Sequence, residues 1–172
     1  MKGVYSLENH RLNYEQLEAR IESFLMEHIS GSLATCINDI PRSSPVQYFL
    51  GKDLTIYIPS AGGQKFKAIE GNKNVCLLVN TEYLDFRRIK GVQVFGKAST
   101  SVRNKELIEE ANPYLPQAYL LEEGKWQVIK IIPYEIIYLD SIERGERVKQ
   151  VLRIQDKLVE VRDEELSGLL IN

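Results

Sequence analysis

Apolar residues recur first at helical spacing and then, from position 32 onward, in short alternating runs. Leu17, Ile21, Phe24, Leu25 and His28 fall on one face of a helix that Asn13 caps, with Gln16 at the capping-box position, and that runs to about Ile29 before Gly31 ends it. The period then changes to that of strands. Runs at 32–37, 42–49 and 54–58 are separated by turn residues, Asn38-Asp39 and Gly51-Lys52-Asp53, which predicts an antiparallel meander. A short helix over 65–70 follows, with Gly71 at its end, and strands resume at 74–80 and 89–101. Helical spacing returns over 103–112, Pro113 and Pro116 interrupt it, and Pro133 divides a β run over 125–139, which predicts a bulge, bend or break there. Six strands with few helices predict a small closed antiparallel barrel, since closure removes exposed edges.

Past Asp140 the composition turns to mixed charge, with two further short strands at 148–154 and 157–161 and an apolar end at 166–171. The expected organisation is a barrel domain with its N-terminal helix over 1–140, and an extension over 141–172 that packs on the barrel or on a second copy. With 44% hydrophobic and 27% charged residues the 172-residue chain is of globular type, and at this length a domain buries roughly 70% of its unfolded surface, so no staple is needed. A formal charge of −2 without long one-sign runs argues against nucleic acid as a partner. The lack of a bilayer-length apolar stretch or an apolar leader argues against a membrane and for the cytoplasm. Cys36 and Cys76 sit singly in apolar runs and read as reduced, packed thiols. Their spacing and the presence of only His10 and His28 leave no metal site in view. His28 reads as a boundary residue of the helix.

Chemistry concentrates in two segments. In Ile58-Pro59-Ser60-Ala61-Gly62-Gly63-Gln64-Lys65, glycines before a helix let backbone N–H groups approach a ligand, Ser60 offers a hydroxyl, the helix start favours an anion and Lys65 supplies full charge. The pattern is not a P-loop. In Pro41-Arg42-Ser43-Ser44-Pro45-Val46-Gln47, alternate side chains share a face, so Arg42 and Ser44 point one way and Ser43 the other. Two serines and an arginine suit a strand that lines a polar ligand, with Arg42 as a second cation for a phosphate.

The succession Gly31-Ser32-Leu33-Ala34-Thr35, Pro41 to Val46, Leu54 to Ile58, Ser60 to Lys65, Asn74 to Val79 and Val92 to Ala98 resembles the pyridoxamine 5'-phosphate oxidase-like family of FMN-binding split barrels, over roughly residues 14 to 139. The resemblance implies a mainly β, six-stranded antiparallel split β-barrel with flanking helices, homodimeric, with FMN in the cleft between two chains. It implies that Arg42 and Lys65 pair with the phosphate, that Ser60 and Gln64 complete its shell, and that the backbone of Ser43, Ser44 and Val46 faces the flavin ring. Trp126 would anchor the core or the interface. The family's namesake enzymes grip their substrate with a C-terminal Arg-x-His pair, which this chain lacks because no histidine follows His28. The implied activity is a flavin-dependent oxidoreductase acting on a small molecule with an electron donor such as NAD(P)H, with no catalytic residue assigned. Tyr48, Tyr57 and Tyr83 read as packing aromatics. The alternative is a non-catalytic FMN-binding electron carrier or redox sensor, or more remotely a binder of the deazaflavin F420.

Overall fold

The computed structural model describes residues 11–120, 124–142 and 147–163. The apolar run at 166–171 lies outside the described residues. Helix α1 (Tyr14–Glu27) carries the anticipated capping box, Asn13 accepting from the Gln16 N–H and Gln16 accepting from the Asn13 N–H. It ends at His28, three residues before Gly31. That glycine lies inside strand β1 (Ser30–Ile37), where a Cβ would stand 2.6 Å from the Leu78 carbonyl oxygen, so close strand approach accounts for it.

Strand order dictates closure. β1 pairs with β2 (Ile40–Gln47) across Asn38 and Asp39, whose φ angles of 52° and 59° are those of a type I′ turn. β1 also pairs with β5 (Asn74–Asn80), β5 with β6 (Lys90–Thr100) and β6 with β7 (Gln127–Asp140). β7 in turn pairs with β4 (Ile56–Ser60), and β4 with β3 (Phe49–Leu50), every pair antiparallel. Laid flat, the path β2-β1-β5-β6-β7-β4-β3 would hold its two ends about 29 Å apart at roughly 4.8 Å per strand. Tyr48 alone joins those ends in the chain. The sheet must therefore curl into a barrel, and it does: β2 and β4 meet with Cα atoms within 8 Å of each other but without a ladder, which is the split.

The expected strand over 42–49 is thus two, one on each side of the split. The turn before β4 is also longer than expected. Thr55 N–H donates to the Lys52 carbonyl, and both Asp53 and Leu54 are left-handed, so Leu54 belongs to the turn although its side chain is buried. Pro133 marks a bulge: Phe95 pairs with Glu135 and Gly96 with Pro133, leaving Tyr134 extra. Before the bulge β7 pairs with β4, and after it with β8 (Val148–Arg153), which carries β9 (Leu158–Asp163). These strands bring the described total to nine, against the six expected for the barrel itself. Arg11 donates to the Val159 carbonyl and Leu12 N–H to Gln150, so the segment before α1 ties down this hairpin.

The inward residues of the sheet, among them Leu33, Ile56, Ile58, Leu77, Val94, Ile129 and Ile131, form one core with Leu17, Ile21, Phe24 and Leu25 of α1. Helix α2 (Gln64–Gly71) packs on β1 and β6, and α3 (Glu106–Ala111) on β7. Outside the barrel, Tyr57 stacks on Tyr114 at 5.2 Å and donates to Glu110, which also accepts from Lys130. A last short helix, α4 (Gln117–Leu120), presents Tyr119 to Phe49, Trp126 and the Gln47 amide oxygen. Trp126 is half-buried in that aromatic contact.

Candidate functional site

Two chain segments meet the split. β4 ends at Ser60, and the chain then turns through Gly62 and Gly63, with φ of 127° and 108°, into α2. Any other residue there would be strained, and a Cβ on Gly62 would meet nothing within 4 Å, so the turn is open on its outer side. Gly63 caps α2 without a side-chain bond, and the amides of Gln64 and Lys65 have no acceptor among the described residues, while Phe66 N–H donates to the Gly63 carbonyl. Lys65 Nζ donates to the Gly62 carbonyl at 2.8 Å, and the Ser60 hydroxyl lies 3.3 Å from that same oxygen and 3.4 Å from the Gly62 nitrogen. No carboxylate among the described residues pairs with Lys65, and burial lowers its pKa from the ordinary lysine value. A half-buried, uncompensated cation, free amides and a hydroxyl form a donor set for an anion. Gln64 is exposed at the mouth of this turn.

β2 lies on the other side of the split from β4. Arg42 is exposed and makes no ion pair or hydrogen bond among the described residues. Its cross-strand partner is Thr35, whose hydroxyl is the one buried side-chain oxygen without a hydrogen-bond partner among the described residues. An orphaned hydroxyl on β1, cross-strand from an unpaired guanidinium on β2, leaves polar capacity unused in this hairpin.

The backbone of β2 can be oriented from one bond. Tyr48 N–H donates to the Ile29 carbonyl at 3.0 Å, just beyond the β1–β2 ladder. Alternation then turns the N–H groups of Val46, Ser44 and Arg42 toward β1, and those of odd-numbered residues toward the split. Pro41 and Pro45 have none, so Ser43 and Gln47 carry the free amides of that edge. Of the three residues expected to offer backbone to a ring, Ser43 has its amide free, while the amides of Ser44 and Val46 are occupied by β1. Val46 is buried and forms part of a 460 Å³ concavity on the outer sheet face with Ser30, Ser32, Pro45, Gln47, Leu78 and Asn80. Ser32, Gln47, Asn80 and Thr35 are site candidates the sequence alone does not single out, because cross-strand neighbours are far apart in the chain.

Other groups singled out from sequence lie elsewhere. Tyr48 is buried and donates to the Leu25 carbonyl, Tyr57 faces α3, and Tyr83 is exposed in the connection between β5 and β6. His28 packs on Phe24 and donates from Nδ1 to its carbonyl. Both cysteines are free and half-buried, and burial pushes the Cys76 thiol up to about 11, which keeps it protonated. Among the described residues no three His, Cys, Asp or Glu side chains are grouped for a metal, and no helix is long and apolar enough to cross a membrane.

A nine-stranded antiparallel sheet closed into a split barrel, with a glycine turn and Lys65 between β4 and α2, defines a split-barrel protein. The sequence profile of the pyridoxamine 5'-phosphate oxidase family matches residues 17–140, and the chain belongs to that family. Among solved structures it is similar to general stress protein 26 of Bacillus anthracis, with 27% identity and a TM-score of 0.55 over 80% of this chain and 98% of that one. A Listeria innocua protein named after pyridoxamine 5'-phosphate oxidase shares 26% identity at a TM-score of 0.52, over 72% and 98% of the two chains. The FAD binding protein of Mycobacterium smegmatis, at 21% identity and a TM-score of 0.52 over 69% and 90%, shares the fold. No curated protein matches.

Proposed function

We propose that this chain is an FMN-binding flavoprotein that works as a flavin-dependent oxidoreductase on a small molecule, with two copies completing each site. The observation that carries the reading is Lys65, a half-buried cation without a carboxylate, folded over an open Gly-Gly turn at the start of α2. A phosphate is the anion whose several oxygens match this set: Lys65, the amides of Gln64 and Lys65, the Ser60 hydroxyl and Arg42 across the split. Ser43 N–H and the neutral polar wall of Ser32, Gln47 and Asn80 suit the hydrogen-bonding edge of a planar ring. That proteins of this fold include one named for FAD binding supports a flavin over other phosphates. FMN bound there would supply two-electron exchange between a pyridine nucleotide and an acceptor. The protein's part is to hold the phosphate, orient the ring and shield one face of it from water. The exposure of Tyr83, Leu84 and Phe86, at 57%, 61% and 86%, supports a second copy seated on the β5–β6 connection.

The test is a titration of the ligand-free protein with FMN and with riboflavin, followed by anaerobic addition of NADH or NADPH to the complex. Quenching of FMN fluorescence with weaker binding of riboflavin, then bleaching of the flavin band, is the expected result. Equal affinity for both flavins would remove the phosphate site. Tight FMN binding without bleaching would make the protein an electron carrier or sensor.

A further inference from the structure

The outer face of the sheet carries a second concavity beside the first. It has a volume of 280 Å³, and it shares Leu78 and Asn80 with the 460 Å³ hollow at β2. Register explains the continuity. Pro45 pairs with Ser32, Ser32 with Leu78, Leu78 with Gln93, and Gln93 with Ile137, so one row of outward side chains runs from β2 across to β7. The parallel row joins Asn80, Gly91, Leu139 and Lys149. Gly91 lies in that row between Asn80 and Leu139 and lines the concavity, where a Cβ would stand 2.9 Å from Asn80 Cβ and from the Val79 carbonyl oxygen, so β5 and β6 approach closely there.

The chemistry changes along this trough. Near β2 it is neutral and polar; at its centre Leu78, Ile89, Ile137 and Leu139 make it apolar, with Tyr83, of the connection proposed to meet a second copy, at its rim; at its far end stand Arg147 and Lys149. No aspartate or glutamate lines it among the described residues, and Arg147 makes no hydrogen bond or ion pair with any of them. From β5 to β8 the trough spans three strand spacings, about 14 Å. Arg147 and β8 lie beyond the segment that matches the family, so the cationic end is a feature of this chain's extension.

We propose that this trough is the substrate subsite, and that it takes a molecule with an apolar body and a terminal carboxylate or phosphate, the anion held by Arg147 and the body lying over Leu78, Ile137 and Leu139 toward the ring hollow. The inference rests on the flavin reading for its word "substrate", and on the trough alone for its binding chemistry.

Decanoate and decanol serve as probes, titrated calorimetrically into the full chain, with and without saturating FMN. Decanoate is expected to bind and decanol to bind at least tenfold more weakly. Arg147→Glu is expected to weaken decanoate about tenfold or more while leaving decanol and FMN titrations unchanged. Leu78→Trp, which fills the shared ridge, is expected to weaken both probes, with circular dichroism and the melting transition confirming that the variant folds. Absence of decanoate binding, or equal binding by the Arg147→Glu protein, overturns the subsite. Because the FMN titration is read separately, a trough that binds decanoate in a protein that ignores FMN would sink the flavin reading and keep the anion-ended trough.

Discussion

Lys65 is where charge, burial and backbone geometry converge, and its protonation sets the expected behaviour of the site. Burial lowers its pKa, and only the cation attracts an anion, so FMN affinity should fall as pH rises through that lowered value, while riboflavin affinity stays flat. Lys65→Arg, which remains charged, should flatten the FMN profile, and Lys65→Ala should weaken FMN about tenfold to a hundredfold at neutral pH. An FMN profile as flat as that of riboflavin in the unaltered protein would show that Lys65 does not meet the phosphate. The lysine and its glycines are legible in sequence because they lie within six positions of one another. Thr35 is not legible, since nothing local says that this threonine sits opposite Arg42 with its hydroxyl unpaired; that follows from the register of β1 on β2.

At the level of elements, local turn chemistry reads well wherever it depends on two adjacent residues. Asn38-Asp39 yields the hairpin, and Asn13 with Gln16 yields the helix start, because each satisfies backbone groups within its own neighbourhood. Gly31 is misread as a helix end and Leu54 as strand, in the first case because a glycine's reason can lie on a neighbouring strand, and in the second because tertiary burial holds a leucine in a left-handed turn. Gly96 shows the same dependence. At the bulge its Cβ would stand 2.5 Å from Ile131 Cγ2 and 2.7 Å from the Ile132 carbonyl, so Gly96→Ala should cost about 1–3 kcal/mol, measured as a shift in urea midpoint. Outside the barrel, the bonds from Lys130 first and then Tyr57 hold the Glu110 carboxyl below its usual pKa. A depressed carboxylate adds stability above its unfolded value and loses it as pH falls through the folded value. Glu110→Gln should therefore lower stability at pH 7 by about 0.5–1 kcal/mol, the modest figure fitting a half-exposed group, and should reduce the acid-side slope of stability against pH.

For the molecule as a whole, the hydrophobic pattern dictates a closed sheet, but which strand neighbours which is fixed by pairings as distant as β4 with β7. The exposed apolar cluster at Tyr83, Leu84 and Phe86 likewise sits in a segment whose sequence looks merely polar, with Asp85, Arg87 and Arg88 interleaved. If a second copy covers it, light scattering should give the mass of two chains, and Phe86→Glu should give the mass of one at the same concentration. A single-chain mass for the unaltered protein would move the complete site within one barrel. The split itself has a consequence in time. With prolines at 41 and 45, the β2 edge offers exchangeable protons at Ser43 and Gln47, facing a gap with no ladder, while those of Arg42, Ser44 and Val46 are shared with β1. Hydrogen–deuterium exchange along this one strand should therefore alternate between fast and slow residue by residue, and occupation of the gap should erase the alternation at Ser43 first.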